Sequence, residues 1–153
     1  MQELELKVPP VILVAVFALL MWLLAKLLPS LALPAIWSWV LAVGFASAGL
    51  AVAVLGVLAF RRAETTVDPR VPQQTSSLVI KGIYRYSRNP MYLGFLLLLT
   101  AWACYLINVA AFALLPLFVL YMNRFQIAPE ERFLLQKFGA EYQAYQAQVR
   151  RWL

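Results

Sequence analysis

Residues 91–125 read MYLGFLLLLTAWACYLINVAAFALLPLFVLYMNRF. Positions 91–107 and 109–125 are two apolar runs of 17 residues, parted by a single asparagine, Asn108. At 1.5 Å of rise per residue, a run of this length nearly crosses the roughly 30 Å hydrocarbon core of a bilayer. The pattern predicts a short membrane hairpin hinged at Asn108. Pro116 lies in the middle of the second arm. It removes one backbone donor and is expected to bend that helix.

Two further spans precede the hairpin. Residues 8–28 form an apolar run of 21 residues. A cleaved signal peptide would show a shorter apolar core behind a basic segment, so a retained span is expected. Pro29, Ser30 and Pro34 break the helix, and Trp37 and Trp39 stand where interfacial aromatics belong. Residues 35–60 form the second span. Gly44, Ala46, Ser47, Ala48, Gly49, Ala53 and Gly56 make it rich in small side chains, which let helices approach closely in lipid.

Composition agrees with this layout. The chain is 63% hydrophobic and 13% charged, against about 25% charged for a soluble domain. The net charge of +6 would raise nucleic acid as a partner in a soluble protein. Here the charges flank apolar spans, and no basic groove with interleaved aromatics is present, so lipid headgroups are the expected partner. The absence of histidine excludes histidine-ligated metals and Ser-His-Asp or Cys-His catalysis. The lone Cys104 excludes a disulfide framework. No metal site is expected.

Lys7, the 61–88 connection and the 124–153 tail carry 12 of the 13 basic residues. That bias places both termini and the connection on the cytoplasmic side. In the tail, Leu134, Phe138, Tyr142, Tyr145, Val149 and Trp152 recur at helical spacing, with Gly139 as a potential interruption. The expectation is an amphipathic helix over 129–153, lying in the headgroup plane or covering a membrane site. The fold class is therefore all-α: a single-domain bundle with spans at 8–28, 35–60, 91–107 and 109–125, a cytoplasmic loop over 61–90, and a tail helix.

Two polar clusters stand beside the hairpin. One is 81–94, KGIYRYSRNPMYLG; the other is 123–132, NRFQIAPEER. Each has a plain reading. Pro90 and Pro129 suit first helical turns, and Glu130 and Glu131 suit a helix N-terminus. If the hairpin closes, however, Arg88, Asn89 and Tyr92 face Arg124, Glu130 and Glu131. That is a polar mouth over an apolar cleft, suited to a charged cofactor meeting a lipid-like substrate.

The stretch Gly82 to Gly94 resembles the RHPxYxG signature of the isoprenylcysteine carboxyl methyltransferase and phospholipid methyltransferase superfamily. Glu130 to Arg151 resembles the same superfamily's EE…FGxEYxxYxxxVxR ending, and Thr65 to Pro69 its linker before the signature. The resemblance implies S-adenosylmethionine as methyl donor, with S-adenosylhomocysteine as product, in a pocket open to the cytoplasm. It implies cofactor contacts from Arg88, Asn89, Pro90, Tyr92, Gly94, Glu130 and Glu131, with Gly139, Tyr142 and Tyr145 in a tail that closes over them. Asn89 stands where histidine is usual. Asparagine can donate and accept hydrogen bonds but cannot take a proton near neutral pH. Arg150 stands where proline is common.

Methyl transfer from a sulfonium is an in-line displacement that needs positioning and a dry cleft more than acid–base groups. Arg124 is the expected residue to orient an apolar or lipid-like acceptor, whose reacting group could be a carboxylate, thiol or amine. The competing reading is a non-enzymatic four-helix membrane protein, a multidrug-type transporter or a scaffold. A proton-coupled transporter needs an acid inside a span, and none of the four spans has Asp or Glu. The oligomeric state is open.

Overall fold

The computed structural model of the chain describes residues 5–63 and 78–153. The linker stretch 65–69 lies outside them. The described residues form helices α1 (Pro10–Leu27), α2 (Ala35–Arg62), α3 (Pro90–Leu106), α4 (Val109–Tyr121) and α5 (Ala128–Gln148), and no strand. A 3-10 turn, Gly82–Arg85, precedes α3, and a π-helical turn, Met122–Ile127, joins α4 to α5.

Prolines set several of the boundaries. Pro10 and Pro90 open α1 and α3 at first-turn positions, where the missing N–H would have had no partner anyway. At the hairpin tip, Ile107 adopts a left-handed conformation (φ 50°) that ends α3. Asn108 follows it, fully buried. Its Oδ1 accepts the Ala110 N–H at 2.9 Å, capping α4. Its Nδ2 donates to the carbonyls of Leu28 and Pro29 at 3.0 and 3.1 Å. One side chain thus ties together the two turns at this end of the bundle.

Helix α3 is central. It packs on α1, α2 and α4, while α2 touches the rest mainly through α3. The α2–α3 crossing depends on glycine. A Cβ on Gly94 would lie 2.8 Å from the Ala53 Cβ and 2.8 Å from the Gly49 carbonyl. A Cβ on Gly49 would lie 2.8 Å from the Gly94 carbonyl. Backbone meets backbone here, as small-residue packing in lipid requires. Gly94→Ala should therefore force the helices apart and cost about 1–3 kcal/mol. The check is the thermal unfolding midpoint in detergent, which should fall; an unchanged midpoint would show that the crossing relaxes freely.

On the other side of α3, Leu13, Phe17 and Met21 of α1 meet Tyr92, Leu99, Ala103, Ala111 and Phe118. The Phe17 and Phe118 rings pack edge to face at 5.4 Å. Outward, Val11, Ile12 and Leu19 of α1 and Ile36, Trp37, Val40 and Leu50 of α2 are exposed. So broad an apolar surface suits hydrocarbon rather than water. Pro10–Leu27, Ala35–Arg62 and the continuous helical stretch Val109–Gln148 are long and apolar enough to cross a membrane; Pro90–Leu106 is a shorter apolar helix of 17 residues.

Two features differ from the sequence expectation. The tail helix does not begin afresh at Pro129 but continues from α4 through the π turn. Pro129 has no N–H to give the Phe125 carbonyl, four residues back. The Leu6 N–H takes that carbonyl at 3.1 Å, and the Gln126 amide donates to the Val8 carbonyl at 2.6 Å. The N-terminal segment therefore satisfies the turn from outside. Second, α5 ends at Gln148 and not at residue 153. Residues 149–152 turn back along the segment before α3, because that segment binds their carbonyls, as described next. Gly139 does interrupt α5, at φ 49° and ψ −121°, a conformation for which glycine is suited.

Candidate functional site

The segment 84–90 and the tail are laced together by backbone and side chain. The Tyr145 hydroxyl donates to the Tyr84 carbonyl at 2.7 Å. The Arg88 N–H donates to the Arg150 carbonyl at 3.0 Å, and Asn89 Nδ2 to the Arg151 carbonyl at 2.9 Å. Ser87, almost fully buried, accepts the Asn89 N–H at 3.1 Å. Trp152 donates its indole N–H to Asn123 at 3.0 Å, carrying the returning chain across to the π turn.

Arg88 is the hub. One guanidinium nitrogen donates to the carbonyls of Gln146 and Val149 at 3.2 and 2.5 Å. The other binds Glu131 Oε1 at 2.8 Å. Arg151 approaches the same carboxylate in a fork, Nε to Oε1 at 3.1 Å and Nη2 to Oε2 at 2.5 Å. Burial alone would raise the Glu131 carboxyl; hydrogen bonds from Arg151 and Arg88 outweigh it and hold the group below the usual carboxylate range. Arg88 Nε is buried and has no hydrogen-bond partner among the described residues.

Glu130, its neighbour in sequence, has the opposite environment. The Tyr92 hydroxyl donates to Oε1. Among the described residues no lysine or arginine pairs with Glu130. Burial pushes its carboxyl up, the Tyr92 bond pulls it down, and the Glu131 charge pushes it up again, to about 8. Two adjacent acids are thus driven apart, one fixed as an anion and one poised between states near neutral pH. Because α5 continues α4, neither sits on a free helix N-terminus, and the macrodipole is not what stabilises them.

Of the residues expected at the site, Arg88, Asn89, Tyr92, Glu130 and Glu131 come together with the tail. Pro90 is buried at the start of α3. Gly94 faces α2 and serves the helix crossing. Tyr142 and Tyr145 are buried together with Val149, their rings 6.1 Å apart, and fasten the tail to the 84–90 segment. Arg124 stands apart: its guanidinium pairs with Glu5 at 3.0 Å. Nothing in the sequence marks Arg151 as a partner of Glu131, although it occupies the last arginine of the tail pattern. Its role depends on the chain turning back after Gln148, which the helical spacing of Val149 and Trp152 conceals. An apolar groove of about 390 Å³ opens between α2 and α3, lined by Trp39, Ala42, Leu98 and Trp102 among others; it contains none of the polar residues above. Among the described residues no group of potential ligands could hold a metal ion.

The profile of the phospholipid methyltransferase family matches residues 37–141. An uncharacterized protein from Haemophilus influenzae is 51% identical over 63 residues, which is 41% of this chain and all of that protein. No solved structure matches the chain.

Proposed function

The chain belongs to the phospholipid methyltransferase family, and from that premise we propose that it transfers a methyl group from S-adenosylmethionine to a lipid-like acceptor at the cytoplasmic face of the membrane. In this reading it crosses the bilayer four times, the short α3 included. Both termini lie with the basic residues in the cytoplasm.

The observation that carries the reading is the Glu130 carboxyl, raised to about 8, bonded by Tyr92 and paired with no lysine or arginine among the described residues, beside a Glu131 locked by two arginines. Such a group is ready for a cationic ligand: a nearby positive charge returns it to its charged form. The donor set fits S-adenosylmethionine. Glu130 would meet a cationic centre of the cofactor, and the unpartnered Nε of Arg88 is a buried donor suited to its carboxylate. When bound, the cofactor supplies an electrophilic methyl on a sulfonium. Tyr92 orients Glu130, the Arg88–Glu131–Arg151 lattice holds the tail in place, and the tail keeps water from the 87–92 segment. Asn89 acts as a hydrogen-bonding residue and moves no proton.

The test is incubation of the purified chain in lipid nanodiscs with methyl-labelled S-adenosylmethionine and a total membrane extract. Label should enter the extractable lipid fraction. Absence of label from every lipid and small apolar product would overturn the proposal.

A further inference from the structure

The π turn carries a second charged cluster, outside the Glu130–Glu131 site. Arg124 Nη1 lies 3.0 Å from Glu5 Oε1, and Arg132 Nη2 binds Glu5 Oε2. One carboxylate bridges two guanidinium groups. Its side chain is 14% exposed, while those of Arg124 and Arg132 are 47% and 55% exposed. Among the described residues two positive charges face one negative charge, so the cluster keeps a net +1. Glu131 is held by Arg88 and Arg151, and Glu130 by Tyr92, so neither balances it.

The position matters as much as the charge. The cluster lies at the end of the apolar α4, where the tilted rings of Tyr121 and Phe125 pack with centroids 4.8 Å apart. Arg124 stands 5.6 Å over the Phe125 ring. Aromatic rings beside exposed arginines at the end of a membrane helix mark headgroup level. The segment bearing Glu5 is held without that side chain, through Leu6 to the Phe125 carbonyl and Val8 to Gln126. Glu5 can therefore leave by rotating one side chain. Both arginines are about half exposed, and ion pairs so open to water on one side contribute little net stability, so the departure meets little resistance.

We propose that Arg124 and Arg132 form a binding site for the phosphate oxyanion of an acidic lipid, and that Glu5 fills it here as an internal stand-in. Two guanidinium groups aimed at the two oxygens of one anion match a phosphodiester as they match a carboxylate. Basic residues at a membrane edge also attract anionic headgroups over distance. The site stands independently of methyl transfer, and its test reads binding alone.

The experiment places the full chain in phosphatidylcholine nanodiscs containing a minor fraction of phosphatidylglycerol and counts retained lipids by native mass spectrometry. The wild type should retain phosphatidylglycerol above its share. Glu5→Gln should raise that enrichment severalfold, and the double variant Arg124→Gln/Arg132→Gln should abolish it. A parallel titration adds inorganic phosphate to Glu5→Gln in pure phosphatidylcholine. Saturable phosphate binding there, without phosphatidylglycerol enrichment, would assign the same clasp to a soluble phosphate. Enrichment that persists in the double variant, or Glu5→Gln without effect on either ligand, would overturn the proposal.

Discussion

Glu130→Gln should weaken S-adenosylmethionine binding by about 30-fold, near 2 kcal/mol, the scale of one hydrogen bond to a charged group. It should also remove part of the pH dependence of binding. In the wild type a cationic ligand must displace the proton from Glu130 below about pH 8. Affinity should then rise by up to tenfold per pH unit between about pH 6 and 8 and level off above. The ligand's own amino group titrates near 7.7–8.0 in both proteins, so the difference between wild type and variant isolates Glu130. Calorimetry over pH 6–9 measures it. Parallel pH profiles for the two proteins would remove Glu130 from the site.

The same substitution should stabilise the unliganded protein. The folded value of about 8 lies above the ordinary 4.5, so the fold binds the Glu130 proton more tightly than the unfolded chain does. The stability this group contributes is full below about pH 4.5 and is lost as the pH rises through about 8. Gln keeps the acceptor for Tyr92 without the charge. The variant should match the wild type near pH 4.5 and exceed it above pH 8 by on the order of 2–4 kcal/mol. Gain of stability with loss of binding is the signature of a strained binding residue.

Arg88→Lys should act in the opposite sense, destabilising the protein by about 1–3 kcal/mol, the scale of a buried acceptor left without its donor. Arg88 meets two carbonyls and a carboxylate at once, and both members of its ion pair are only 12% exposed. A lysine brings one compact ammonium and cannot reproduce that fork. The single ammonium cannot reach Glu131 and the carbonyls of Gln146 and Val149 together, so at least one of these acceptors would lose its donor. Residues 149–153 should then detach from the 87–89 segment. Limited trypsin digestion should cut at Arg150 and Arg151 faster than in the wild type, and the unfolding midpoint should fall. Unchanged cleavage and midpoint would show that the tail is held by its aromatic contacts alone.

That Arg88 and Tyr92 face Glu130 and Glu131 was legible, because a hairpin of two equal arms brings its open ends together; that Tyr92 meets Glu130 and Arg88 meets Glu131 was not. Arg124 was legible as a cation at that end but not in its partner. Glu5 lies 119 residues away in the chain, and nothing local to either residue announces the pair. The tail beyond Gln148 misled for a related reason. Val149 and Trp152 keep helical spacing, but the donors of Arg88 and Asn89 compete for the backbone that a continued helix would use.

By itself the sequence determined the apolar helices, their breaks at Pro29 to Pro34 and at Asn108, the proline that opens α3, and the glycine break at Gly139. These follow from each residue's own solubility in lipid and its own backbone freedom, which neighbours close in the chain are enough to express. Only the tertiary structure decided which of two adjacent, chemically similar acids is the fixed anion and which is the poised one. A carboxyl's protonation is set by the charges, donors and water around it in space. For Glu130 and Glu131 those come from Tyr92, Arg88 and Arg151, on segments that the fold alone brings together.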